Sequence, residues 1–262
     1  MHPILFRIGP LTIHTYGVLV ATGFFLGLGL AMKTAGREGI GKEQILDLGF
    51  FILIAALVGS RLLFVITEWR YYLKNPIGIL KLWEGGLVFY GGLLLAIPVA
   101  IFYIRRHSLP LWKTADIFAP AIAIGHSIGR LGCFAAGCCY GKPTDLPWAV
   151  TFSNPECLTP KGVPLHPTQL YESIGEFAIF IVLMITRRAK SFDGQLFWLY
   201  VMLYAPLRFL VEFFRGDDIR GFIYGRISVS QGISAIVFPI AVFVFLMLRI
   251  ENKKKDKKEV EG

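Results

Sequence analysis

Three arginines, Arg61, Arg130 and Arg208, stand within or at the edge of long apolar runs. An arginine at the centre of a bilayer costs about 3 kcal/mol on insertion scales. It persists where it faces a bundle interior or a wet cavity with a partner, so each of the three is a candidate functional residue. Tyr204, Arg208, Glu212 and Arg215 recur at spacings of four, four and three, which places them on one face of an otherwise apolar helix. Two readings of that stripe are open. One is a structural Arg208–Glu212 pair that ties helices together. The other is a cationic site for a lipid phosphate, in which Glu212 orients the arginine, because planar guanidinium donors match phosphate oxygens two at a time.

The run Gly125-His126-Ser127-Ile128-Gly129-Arg130-Leu131-Gly132-Cys133 puts His126, Arg130 and Cys133 on one face, with glycines clearing space beside them. An arginine in a glycine-lined wall suits a phospholipid headgroup; a snorkelling arginine with nothing bound is the alternative. His14-Thr15-Tyr16-Gly17 opens the first apolar run and reads either as an interfacial aromatic belt or as part of a site. Of the four cysteines, Cys157 with Cys138 or Cys139 forms a candidate disulfide in an oxidising compartment. Zinc held by these cysteines with His126 or His166 is open by residue type. No metal-ligand cluster is evident from spacing, however, and neither a metal nor another cofactor is expected.

The elements that must position these residues are helices in lipid. The chain has 262 residues, of which 55% are hydrophobic and 17% charged, against about a quarter charged in a soluble domain. The charges fall in patches between apolar runs long enough to cross a hydrocarbon core of about 30 Å. Backbone polar groups in lipid must be satisfied internally, so the runs are helices. The predicted fold is therefore an all-α integral membrane protein. Its seven transmembrane helices lie near 13–33, 46–66, 86–104, 116–135, 168–186, 195–214 and 227–249. These make one transmembrane domain over residues 1–250, with a small extramembrane head at 136–167 and a basic tail at 251–262. The first span has no signal-peptide cleavage pattern and is expected to remain as an anchor. Gly23 and Gly27, Ala55 and Gly59, and Gly125 and Gly129 have the four-residue spacing of closely packed membrane helices.

Lysine and arginine counts orient the chain. Fifteen lie in the patch after the first span, every second patch from there, and the tail, against nine on the opposite side. This predicts an outside N-terminus, a periplasmic head and a cytoplasmic tail. The net charge of +9 is accounted for by an anionic membrane surface, and no nucleic-acid partner is expected.

The segment from Gly129-Arg130-Leu131-Gly132-Cys133 to Ala136-Gly137-Cys138-Cys139-Tyr140-Gly141 resembles the glycine-rich motif of the prolipoprotein diacylglyceryl transferase family. Further blocks agree in the family's order. They are His14 to Gly17, Trp83-Glu84-Gly85-Gly86 with Tyr90-Gly91-Gly92, His166 to Glu172, Tyr204 to Arg215, and Ser228 to Gln231. The resemblance covers essentially the whole chain up to the tail. It implies a seven-span enzyme of the bacterial plasma (inner) membrane whose lipid substrate is phosphatidylglycerol. Such an enzyme joins the lipid's diacylglyceryl group to the lipobox cysteine thiol of prolipoprotein signal peptides, forming a thioether and releasing glycerol phosphate. It further implies that Arg130 holds the headgroup, that Arg208 is a second essential arginine, with Glu212 and Tyr204 beside it, and that Tyr16 belongs to the site.

Departures from the family pattern bear on the base that takes the thiol proton. Cys133, Ala136 and Cys138 stand where the proteobacterial form of the motif has two asparagines and a glutamate. Tyr90 stands where a histidine serves as proposed general base. Tyrosine, with a reference pKa of about 10, is a poor base near neutrality, so His14, His166 and Tyr90 are all candidates. Two rival functions remain at this level: a transporter, since intramembrane arginines also mark permeation paths, and a divergent lipid-handling member of the same fold.

Overall fold

A computed structural model describes residues 2–9, 11–81, 85–217, 221–224 and 227–261, with the backbone alone described at residues 8, 11, 222–224 and 255–261. Trp83 and Glu84 of the motif blocks, and Arg220 and Arg226 of the charge count, lie outside the described residues, as do the side chains of Lys255, Lys257 and Lys258. The helices are α1 (Thr15–Arg37), α2 (Lys42–Thr67), α3 (Trp69–Lys74), α4 (Phe89–Arg106), α5 (Leu111–Ala136), α6 (Thr168–Thr186), α7 (Gln195–Glu212) and α8 (Val229–Glu261). Six of them, α1, α2, α4, α5, α6 and α8, are long and apolar enough to cross a membrane. Their outward faces are greasy: Leu94 is 70% exposed, Phe102 71%, Ile236 64% and Phe243 62%. Apolar side chains turned outward along whole helices are the pattern of a protein whose solvent is lipid. The chain is an integral membrane protein with a multi-pass set of helices.

Two details add to the sequence reading. The basic tail is helical, because α8 continues through the lysines to Glu261. Three two-stranded antiparallel hairpins accompany the helices: β1 (Ile4–Ile8) with β2 (Leu11–His14), β3 (Val150–Thr151) with β4 (Pro164–Leu165), and β5 (Phe222–Tyr224) with β6 (Ile227–Ser228). Each is too short to announce itself as an alternating strand.

The chain forms two compact units, residues 32–114 and residues 1–31 with 115–262. In the first, α2 packs on α4 at Gly59 and Gly91, where a Cβ on either would run into the other's carbonyl. Arg61 is buried in this unit and donates to the carbonyls of Gly78 (2.5 Å), Ile79 (2.9 Å), Lys81 (3.3 Å), Gly85 (2.5 Å) and Gly86 (3.1 Å). Its guanidinium also lies over the Phe64 and Tyr72 rings. All five of its N–H groups serve these backbone carbonyls, at residues 78–81 and 85–86. Arg61 is therefore structural, which corrects its place among the functional candidates.

In the second unit, α1 meets α5 where Gly23 faces Gly125 and Gly27 faces Ala121. A Cβ at either α1 glycine would lie 2.7 Å from the opposing carbonyl oxygen. Gly129 does not share in this packing, since a Cβ there meets nothing within 4 Å. An apolar core of Ala119, Ala123, Ile179, Leu183, Leu196 and Tyr200 joins α5, α6 and α7. Asp116 of α5 caps α7, accepting from the backbone N–H of Gly194 (2.8 Å) and Phe197 (2.9 Å), with Lys190 Nζ 3.0 Å away. A carboxylate at a helix N-terminus satisfies orphan N–H groups and complements the helix dipole.

Candidate active site

The site is built from facing stripes on α5, α6 and α7. On α5, the four-residue step brings His126 under Arg130. Arg130 Nε donates to His126 Nε2 at 3.2 Å. A guanidinium has only donors, so Nε2 is the acceptor and the imidazole is the neutral tautomer protonated at Nδ1. That N–H points at Glu176 Oε1, 2.6 Å away. Arg130 Nη2 donates to Glu172 Oε1 at 2.7 Å. Two of its five N–H groups are thus engaged; three remain without a partner among the described residues.

Glu172 and Glu176 come from α6 and are 1% and 0% exposed. With Gln169 and Ser173 they form a buried polar face on an otherwise apolar helix. Reciprocal bonds from Ser127 Oγ to the Ser173 carbonyl and from Ser173 Oγ to the Ser127 carbonyl, both 2.8 Å, fix α5 against α6. Sequence reasoning did not select these two glutamates. The signal was available: two carboxylates four residues apart in the middle of a membrane span are costly unless paired.

α7 supplies Tyr200, Tyr204, Arg208 and Glu212. Arg208 is buried, and its Nε lies 4.0 Å from Glu172 Oε1. Its Nη2 donates to Ser230 Oγ of α8 at 3.0 Å, and its Nη1 lies 2.5 Å from Glu212 Oε2 as an ion pair without hydrogen-bond angles. The two readings of the Arg208 stripe thus merge: the arginine is paired with Glu212 and also reaches the shared carboxylate. Tyr204 stacks on Tyr200 at 5.8 Å and meets His126 edge-on at 5.5 Å. Arg215 leaves the stripe, because α7 ends at Glu212 and Arg215 forms a bidentate pair with Asp217 at 2.8 and 2.7 Å.

A family model for prolipoprotein diacylglyceryl transferase matches residues 3–247. The chain belongs to this family. It is 39% identical to the phosphatidylglycerol–prolipoprotein diacylglyceryl transferase of Finegoldia magna, covering 98% of this chain and all of that one. It is 37% identical to the protein of the same name from Clostridium tetani (97% and 100% covered) and 35% identical to that of Geobacter sulfurreducens (97% and 96% covered).

In this diacylglyceryl transferase family member, the other sequence-selected residues fall as follows. Tyr16, at the start of α1, lies against the glycine motif: a Cβ on Gly132 would be 3.2 Å from its carbonyl oxygen. His14 is exposed at the end of β2, paired through its backbone with Ile4. Tyr90 lies in the other unit, at the second position of α4. His166 Nδ1 is 3.1 Å from the Tyr171 hydroxyl, which accepts from Trp148 Nε1 at 2.7 Å.

Residues 136–167 have a small core of their own. Phe152, Cys157 and Leu165 form it, with Phe134, Tyr140, Val150 and Val163 packed around them. The base of this segment is pinned to the end of α7, where Lys142 N–H donates to the Phe214 carbonyl (2.8 Å) and Gly216 N–H to the Tyr140 carbonyl (3.1 Å). The candidate disulfide between Cys157 and Cys138 or Cys139 is not formed, and all four thiols are free. Cys157 packs in the head core and against Gly137, while Cys138 and Cys139 turn the other way. There they meet Cys133, and the three sulfurs lie within 4.8 Å of one another. Chain spacing made no metal-ligand cluster evident; the fold places these three sulfurs where they could share an ion, and among the described residues neither His126 nor His166 belongs to the group. Thiol hydrogen bonds from Cys133 and Cys138, then the charges of Arg215 and Arg130, hold the Cys139 thiol well below the ordinary range. Hydrogen bonds to Cys133 and Cys139, together with burial, push Cys138 well above it.

Proposed function

We propose that this protein transfers the diacylglyceryl group of phosphatidylglycerol to the lipobox cysteine of bacterial prolipoproteins, the first step of lipoprotein maturation. The observation that carries the reading is Arg130. It is a guanidinium held from behind by His126 and Glu172, with three donors still available, in a chain of this family. A lipid phosphate bound there is a bidentate anion presented to a preorganised fork.

In the reaction the cysteine sulfur attacks the glyceryl carbon that carries the phosphate. A carbon–sulfur bond forms, the carbon–oxygen bond to phosphate breaks, and glycerol phosphate leaves with the electron pair. Negative charge grows on the departing phosphate, and one oriented donor at such a position is worth about 10²–10³-fold in rate. Arg130 is assigned this role. Arg208 is the second cation, held through Glu172, Glu212 and Ser230, and Tyr204 braces His126 from the other side. Tyr16, beside the glycine motif, is assigned to the lipid or thiol. His14, His166 and Tyr90 are the candidates for the proton acceptor, and only the family resemblance supports Tyr90 and His14.

The membrane arrangement we propose has seven spans. α7, with 18 residues, is about 27 Å long, close to the hydrocarbon thickness. Its polar stripe lowers its apolarity but faces α6 and α8 instead of lipid. The N-terminus lies outside, the lysine-rich end of α8 is cytoplasmic, and the membrane is the bacterial inner membrane.

The test uses purified protein, phosphatidylglycerol and a synthetic lipobox peptide, with peptide mass followed over time beside Arg130→Ala. A diacylglyceryl mass gain with wild type that disappears in the variant is expected. No gain with folded wild type would reject the transferase reading.

A further inference from the structure

Three thiols gathered at the end of a membrane helix call for an explanation that the phosphate-binding site does not provide. Cys133 is buried on the last turn of α5, and Cys138 and Cys139 are partly buried in the turn that follows. The turn is built. Gly137 has φ +73°, which lets the chain reverse, and a Cβ there would lie 2.9 Å from Cys157 Cβ. Cys138 N–H donates to the Cys133 carbonyl at 3.1 Å. Cys139 itself has φ 60°, a left-handed conformation that a non-glycine residue adopts only when its surroundings impose it. Those surroundings come from α6: Gln169 Nε2 donates to the Cys138 carbonyl at 2.7 Å and Thr168 Oγ1 to the Cys139 carbonyl at 2.8 Å.

We propose that Cys133, Cys138 and Cys139 form a binding site for a soft divalent cation of the zinc class, with three thiolate ligands and a fourth position open. Zinc–sulfur bonds of about 2.3 Å put tetrahedral sulfur ligands about 3.8 Å apart. Sulfurs already within 4.8 Å need to close by about 1 Å at most to reach that spacing. Thiolate ligands select soft ions over magnesium or calcium. A divalent ion with three thiolates carries one net negative charge. The inference stands on sulfur placement and is independent of the transferase reading.

The experiment titrates reduced full-length protein in detergent with Cd²⁺ as a spectroscopic probe and Zn²⁺ as competitor. Expected are a thiolate-to-metal charge-transfer band saturating at one equivalent per chain and its displacement by Zn²⁺. Cys139→Ser abolishes the band, whereas Cys157→Ser leaves it unchanged. In the unmutated protein, maleimide labelling mapped by mass spectrometry should show Zn²⁺ protecting Cys133, Cys138 and Cys139 but not Cys157. This arm decides the matter if the serine variants do not fold. Absence of the band, or protection that spares any of the three cysteines, overturns the proposal.

Discussion

Arg130 and Glu172 form a buried ion pair between α5 and α6, with Nη2 and Oε1 2.7 Å apart and the carboxylate 1% exposed. Arg208 Nε lies 4.0 Å from the same oxygen. One carboxylate thus sits between two cations, which holds both and keeps them from repelling each other in a medium that screens weakly. Removing one partner of such a pair leaves an uncompensated charge and costs about 3–5 kcal/mol.

Glu172→Ala is therefore expected to lower thermal stability in detergent sharply, and Glu172→Gln, which keeps an acceptor, less so. Transfer activity should fall in both. A thermal-shift comparison of the two variants with wild type checks this; equal stability of all three would remove Glu172 from its place between the arginines.

Arg130→Lys keeps the charge but loses the fork that reaches His126, Glu172 and a bound phosphate together. A loss of about 10²-fold in transfer rate is expected, with the fold retained because lysine keeps the charge that pairs with Glu172. Arg208→Lys should cost stability as well, since Arg208 also ties α7 to Ser230 of α8. Peptide-mass kinetics and melting curves on the two variants separate the effects.

His126 acts as a neutral bridge that accepts from Arg130 and donates to Glu176. His126→Asn retains a donor for Glu176 and is expected to be milder than His126→Phe, which leaves a carboxylate that is 0% exposed without its closest donor. Melting temperature and transfer rate measured on both variants test the order.

Two glycines of the α1–α5 region should respond differently to alanine. Gly23→Ala places a methyl 2.7 Å from the Gly125 carbonyl oxygen and should destabilise the protein by about 1–3 kcal/mol. Gly129→Ala meets nothing within 4 Å, so its melting temperature should match wild type. If Gly129 clears space for the lipid beside Arg130, the same variant raises KM for phosphatidylglycerol.

Gly141→Ala tests the join between head and α7. Its Cβ would lie 2.5 Å from His166 Cβ and 2.8 Å from the Phe214 carbonyl oxygen. Limited proteolysis is expected to open the 136–167 region at lower protease concentration than in wild type.

The helices were legible because their cause is local. Twenty-odd apolar residues in a row have one way to satisfy their backbone in lipid, and the spacings His126–Arg130 and Tyr204–Arg208–Glu212 follow from 3.6 residues per turn. Composition and motif order were likewise enough to read the membrane class and the family. What the linear chain withheld were partners supplied by other helices. Arg61 and Arg130 look alike in sequence, yet one is consumed by five backbone carbonyls and the other keeps three donors. Glu172 became central only when α6 packed its polar face between α5 and α7. The sulfurs of Cys133, Cys138 and Cys139 converge only because Gly137 reverses the chain and α6 holds the turn. Periodicity acts along one helix and is written in residue order. Pairing of charges and gathering of ligands act between helices, so they were decided by tertiary packing.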